Sequence, residues 1–147
     1  MRPELEMVLR LIVAMTLGAI VGFERWHAGK PAGLRTNILI SVGSALFTII
    51  SVFGFEGDPA RIAAGVVTGI GFLGAGSIMH REAGSIEGIT TAASIWAVAA
   101  VGVAVGAGLY LVAVVATIAI VFTLFILRIV EEKFSPFHKE SIPGEKH

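Results

Sequence analysis

The sequence predicts an all-α fold, a polytopic membrane protein with five transmembrane helices, and three observations carry that reading. Of 147 residues 55% are hydrophobic and only 15% are charged, with a mean hydropathy of +0.86, a balance unlike that of a soluble domain or a disordered chain. The uncharged stretches 36–55, 62–79 and 88–127 are 20, 18 and 40 residues long, and about 20 apolar residues suffice for a helix to cross the hydrocarbon core. All five prolines fall outside these stretches, where helices end.

The first crossing is expected over about residues 7–23, with Arg10 near one end, snorkelling to the headgroups, and Glu24 and Arg25 at the other. Glu4 and Glu6 interrupt the basic region that a cleaved signal peptide would need, so this helix is expected to be retained. Lys30-Pro31-Ala32-Gly33 lets the chain leave helical geometry, and the second crossing follows over about 37–55. Gly57, Asp58 and Pro59 mark the next turn, with Asp58 placed to cap the third crossing at about 60–79. That helix carries Gly65, Gly69, Gly71, Gly74 and Gly76; glycine weakens a helix by about 1 kcal/mol relative to alanine, and close packing against neighbouring helices is the expected compensation. The 40-residue run exceeds one crossing. It divides into helices at about 89–105 and 109–127, made antiparallel by a turn at Gly106-Ala107-Gly108. Residues 1–133 are read as one membrane domain, and 134–147 as a short cytoplasmic tail beyond a last helix bounded by Pro136.

With five crossings the termini lie on opposite sides. Placing the C-terminus in the cytoplasm puts eight Lys and Arg on that side and three, Arg2, Arg10 and Arg61, outside, so the positive-inside rule favours an external N-terminus.

Equal numbers of basic and acidic residues, 11 each, argue against a nucleic-acid partner. No cysteine excludes thiolate chemistry, and the four histidines are scattered. No complete catalytic constellation and no cofactor motif in its required context is present, so a non-enzymatic protein without a cofactor is expected. Gly69-Ile-Gly71-Phe-Leu-Gly74 matches G-x-G-x-x-G with Val66-Val67 before it. The six residues between Gly74 and Arg81 leave too little helix for a dinucleotide fold.

Several polar residues are functional candidates, each beside a plainer alternative. Glu24 and Arg25 either end a helix at the interface or form a polar centre, and adjacent residues point to different faces. Arg35 and Thr36, with Asn37, either anchor and cap the second crossing or form a pore mouth. Asp58 and Arg61 are a cap and an anchor, a salt bridge, or an outer entry point for a cation, although Asp58 with Glu56 is a sparse oxygen set for Mg²⁺. Thr90 and Ser94 share a helix face beside Thr91, satisfied by preceding carbonyls or lining a polar path. Ala14, Gly18 and Gly22 recur at four-residue spacing as a packing face, and Trp96 and Tyr110 read as packing or interface residues.

The ordered blocks Leu17-Gly18-Ala-Ile-Val-Gly22-Phe23-Glu24-Arg25, Ala32-Gly33-Leu34-Arg35-Thr36, Asp58-Pro59-Ala-Arg61-Ile62-Ala63, Gly69-Ile-Gly71-Phe72-Leu73-Gly74-Ala75-Gly76 and Gly88-Ile89-Thr90-Thr91-Ala92-Ala93-Ser94-Ile95-Trp96 resemble the N-terminal transmembrane domain of the MgtC/SapB family over about residues 8–133. The resemblance implies a five-helix inner-membrane domain tied to adaptation to low Mg²⁺, to intracellular survival in some pathogens, and in some members to restraint of the ATP synthase. It marks Glu24, Arg25, Arg35, Thr36, Asp58, Arg61, the 69–76 segment, Thr90, Thr91 and Trp96 as candidate functional positions. Against longer members of the family, this sequence is expected to correspond to the membrane domain without their soluble C-terminal domain. Two functions follow as expectations. The first is a homo-oligomeric factor in Mg²⁺ homeostasis that works by contact with a membrane protein such as the ATP synthase or a transporter. The second is a small channel or transporter for Mg²⁺, another cation or a small solute.

Overall fold

The computed structural model describes residues 3–55, 58, 60–80 and 86–134. The order is α1 (Pro3–His27), α2 (Leu34–Gly54), α3 (Ala60–Gly76), a two-residue antiparallel pair β1 (Met79–His80) and β2 (Ile86–Glu87), α4 (Ile89–Gly106), α5 (Tyr110–Phe122), a π-helical turn over Thr123–Leu127, and α6 (Arg128–Phe134). Four helical spans, Pro3–His27, Leu34–Gly54, Ile89–Gly106 and Tyr110–Val130, are long and apolar enough to cross a membrane; Ala60–Gly76 is apolar and shorter. The protein is therefore a helical, multi-pass membrane protein. The small hairpin was not expected from sequence, and the fifth helical run is continued by a π turn that apolar patterning does not distinguish from an α-helix.

Two of the turns are glycine-dependent. Gly29 takes φ +66° while the Lys30 N–H donates to Arg25 O, so α1 ends at His27, just ahead of the Lys30-Pro31 segment where the chain was expected to leave helical geometry. Gly108 takes φ +82° while the Leu109 N–H donates to Ala104 O, closing α4 and turning the chain directly into α5. The stretch from Pro136 onward lies outside the described residues, as does the tail read from it.

Helix α4 is the centre, touching α1, α2, α3 and α5. One apolar cluster gathers Val21, Ile40, Ile70, Ile95 and Val98; a second, farther along the bundle, gathers Ala14, Leu17, Ala45, Val101, Val105 and Ala113. Small residues set the spacing, because helices in lipid gain mainly from close van der Waals contact. A Cβ on Gly18 would stand 2.7 Å from the Ser41 Cβ, and one on Gly22 2.8 Å from the Leu34 Cα. On α4, a Cβ on Gly102 would stand 2.3 Å from Ser41 O, and one on Gly106 2.6 Å from Ala45 O. These four positions lock α1 and α4 against α2.

The glycines of α3 behave differently. An added Cβ at Gly65, Gly69, Gly71 or Gly76 meets nothing within 4 Å, and at Gly74 only Ala92, at 3.7 Å. The close packing expected of α3 is thus not made within the described chain; it occurs instead at Gly18 and Gly22, as expected, and at Gly102 and Gly106. Between α2 and α3 an apolar groove of about 800 Å³ remains open.

Candidate functional site

Polar side chains inside the bundle concentrate on α2. Asn37, Ser41, Ser44, Thr48 and Ser51 are all buried and recur every three or four residues, one face of a helix. Their groups are largely satisfied at short range. The Ser41 hydroxyl donates across to Ala14 O at 2.7 Å, and the Thr48 hydroxyl donates to Ser44 O at 2.8 Å. Asn37 Nδ2 donates to Ala32 O and Gly33 O at 2.7 and 2.9 Å, tying the α1–α2 loop to α2, while its Oδ1 is buried without a partner among the described residues. That amide orientation follows from chemistry, since two carbonyls require a donor.

At the same end of the bundle, Arg25 is only 2% exposed. Its Nη2 donates to Glu24 Oε1 at 2.7 Å, and its Nε donates to Glu24 Oε2. A two-point fork of this kind offsets much of the cost of removing both charges from water. The expectation that adjacent residues diverge is corrected here: although their Cα atoms face different ways, the long guanidinium stem folds back onto its neighbour. Arg35 and Thr36 are exposed in the first turn of α2, beside the buried Asn37. Across the bundle, Thr91 and Ser94 are buried, and the Ser94 hydroxyl donates to Thr91 O at 2.8 Å, whereas Thr90 is exposed. Ser94 therefore shares its inward face with Thr91, not Thr90, as three-residue spacing allows. Trp96 is 52% exposed. An exposed cluster of Phe23, Trp26 and His27 flanks this end, with Phe23 and Trp26 ring centroids 5.8 Å apart, a placement suited to the membrane interface.

The opposite end is organised by Arg10. Rather than snorkelling outward, Arg10 is 7% exposed. Its guanidinium donates to Gly106 O and to the Glu6 carboxylate, and lies 5.0 Å from the Phe53 ring centroid. The C-terminus of α4 supplies the Gly106 carbonyl and the negative end of its dipole, which draws the cation inward. Asp58 and Arg61 belong to this end. Asp58 Oδ1 accepts from the Ala60 N–H at 2.9 Å, the expected cap. No Asp58–Arg61 salt bridge forms among the described residues, and Arg61 is exposed on the α2–α3 groove.

Glu24, Arg25, Arg35, Thr36, Gly74, Thr90 and Thr91 thus lie toward one end, with Asp58 and Arg61 at the other. From sequence Arg10 was expected to snorkel outward, Gly106 to form a turn and Asn37 to cap or line the start of α2, and Gly102 was not singled out; their buried contacts appear only in the fold. A usable signal existed for Asn37, which begins the 37, 41, 44, 48, 51 polar stripe in an otherwise apolar helix. Among the described residues no group of three or more His, Asp or Glu side chains is placed to hold a metal ion.

Comparison with known proteins gives a consistent relationship. The MgtC family profile matches residues 11–133. The chain is 46% identical over 133 residues to YhiD of Escherichia coli K12, a protein named provisionally as a magnesium transporter, covering 84% of this chain and 60% of that one. It is 43% identical over 139 residues to Protein MgtC of Salmonella typhimurium LT2, covering 95% and 59%, and 42% identical over 125 residues to an uncharacterised protein of Haemophilus influenzae, covering 78% and 52%. The chain accordingly spans between 52% and 60% of the length of these relatives. No solved structure matches it.

Proposed function

This chain belongs to the MgtC family, and from that membership we propose that it is a non-enzymatic factor of the inner membrane in Mg²⁺-linked homeostasis, acting through contacts with other membrane proteins. The observation that carries this reading is how the buried polar groups are used. Arg25 is held by Glu24, Arg10 by Glu6 and Gly106 O, and Ser41 by Ala14 O, while the α1–α2–α4 seam has no room for even a methyl group at four glycines. Such a seam braces the bundle and leaves contact with partners to its outer faces.

Those faces are apolar. Phe72, Leu111 and Ile118 are strongly exposed on α3 and α5, and in a membrane they meet lipid, a second copy or another protein. In this reading α3 is a fifth crossing, since its 17 residues rise about 25 Å against a core of roughly 30 Å. The N-terminus is external and the C-terminus cytoplasmic, and the chain forms a homo-oligomer that engages a partner such as the ATP synthase or a transporter. The name of the Escherichia coli relative favours a second reading, a transporter for Mg²⁺ or another cation.

Purified protein in sealed vesicles separates the two. The contact reading expects no saturable Mg²⁺ flux, a low-Mg²⁺ growth defect in Asp58→Asn, and altered crosslinking to a membrane partner. Saturable flux that Asp58→Asn reduces, with folding and partner recovery unchanged, replaces it with the transporter.

A further inference from the structure

The groove between α2 and α3 is a feature that the contact reading leaves unused. Its walls are Phe47 on α2 and Ile62, Val66, Ile70 and Leu73 on α3. Gly43, Gly65 and Gly69 also line it, each with open space where a Cβ would be. Helices α2 and α3 run antiparallel through the short 55–59 connection, so Arg61 stands at the Phe47 end, in the first turn of α3. No hydrogen bond or ion pair engages its guanidinium among the described residues. The nearby Asp58 carboxylate accepts the Ala60 N–H through Oδ1 and makes no ion pair with Arg61 among the described residues.

We propose that this groove binds one anionic phospholipid, its phosphate on Arg61 and an acyl chain laid along the glycine-lined floor toward Leu73. Charge and length select this occupant. A guanidinium matches a phosphate in both charge and hydrogen-bond geometry, and Arg61 is the charged residue of an otherwise apolar lining apart from Ser44. From Arg61 to Leu73 the helix rises about 18 Å, close to one leaflet, half of a core of roughly 30 Å. A groove of that depth with its cation at one end suits a lipid of a single leaflet. A partner helix would need no cation there and would follow the glycines along the whole of α3.

The test uses the full chain in phosphatidylcholine vesicles containing about one-fifth phosphatidylglycerol, with a photoactivatable acyl chain placed on one lipid or the other. Labelled phosphatidylglycerol is expected to crosslink to α2 and α3 residues of the groove in clear excess over labelled phosphatidylcholine. Arg61→Gln should cut that excess about fivefold, the effect of one basic group at an anionic lipid headgroup; Arg61→Lys should retain most of it. Gly65→Leu with Gly69→Leu should abolish groove crosslinks while helical content is kept, because both positions face open space. Equal labelling by the two lipids, an excess unchanged in Arg61→Gln, or crosslinks from the groove to a second copy in place of lipid would each overturn the proposal.

Discussion

Arg10 and Arg25 are the most expensive side chains to bury in this bundle, and each is compensated by a neighbour in sequence, Glu6 and Glu24, at opposite ends. Removing one member of such a pair strands the other charge. Glu24→Gln is therefore expected to destabilise the fold by about 3 kcal/mol, measured by denaturant titration of the protein in micelles, while Arg35→Gln on the exposed start of α2 should change stability by less than about 0.5 kcal/mol. Glycines divide just as sharply. Gly102→Ala drives a methyl into the Ser41 carbonyl and is expected to cost at least the roughly 1–3 kcal/mol of an overpacked core, whereas Gly65→Ala in open space should be tolerated or stabilise by up to about 1 kcal/mol; thermal unfolding of the two variants checks the contrast. Composition marked both residues equally as small positions in apolar helices. Only the neighbour across each one decides which is indispensable.

Elements differ in how firmly they are held. Nine residues of α4 are buried against two, Ile70 and Gly74, in α3, so α3 leans on the rest of the bundle through its end near Ala92 and through the connection that follows it. Gly88 is the joint. It takes φ +93°, and a Cβ there would stand 2.0 Å from Ser77 O, so Gly88→Ala meets both left-handed strain and a backbone collision. We expect this substitution to displace α3 while the α1–α2–α4 core persists, seen as proteolytic cleavage between α3 and α4 with far-UV helicity nearly unchanged. The helices themselves were legible, because length and hydropathy decide them before any contact forms. The π turn in the last helical run and the short hairpin were not, since both arise from local backbone adjustments that leave no apolar periodicity.

For the whole molecule, the alternating directions seen in the contacts (Gly18 with Ser41, Gly102 with Ser41 and Ser44, Gly74 with Ala92) suit a chain that crosses the membrane repeatedly. Orientation rests on the eight-to-three distribution of basic residues. A chain without cysteine permits a direct check by single-cysteine labelling in intact cells with an impermeant thiol reagent. Cysteines near Glu4 and Gly57 should label and those near Lys30, Ser85 and Lys139 should be protected; the reverse pattern would invert the topology.

What the sequence determined alone is the solvent and the class of fold. Runs of apolar residues can be satisfied only by helices in lipid, where every backbone N–H must find its partner within the chain, and the ordered motif blocks reached the family that the comparisons show. The tertiary structure decided which small and polar residues matter. Arg25 folds back onto Glu24, Arg10 turns inward to the end of α4, and Gly65 and Gly69 of α3 border an open groove instead of a seam. Burial in a membrane is set by pairwise contact between helices distant in sequence, and hydropathy cannot separate a face turned to lipid from one turned to a neighbouring helix when both are equally apolar.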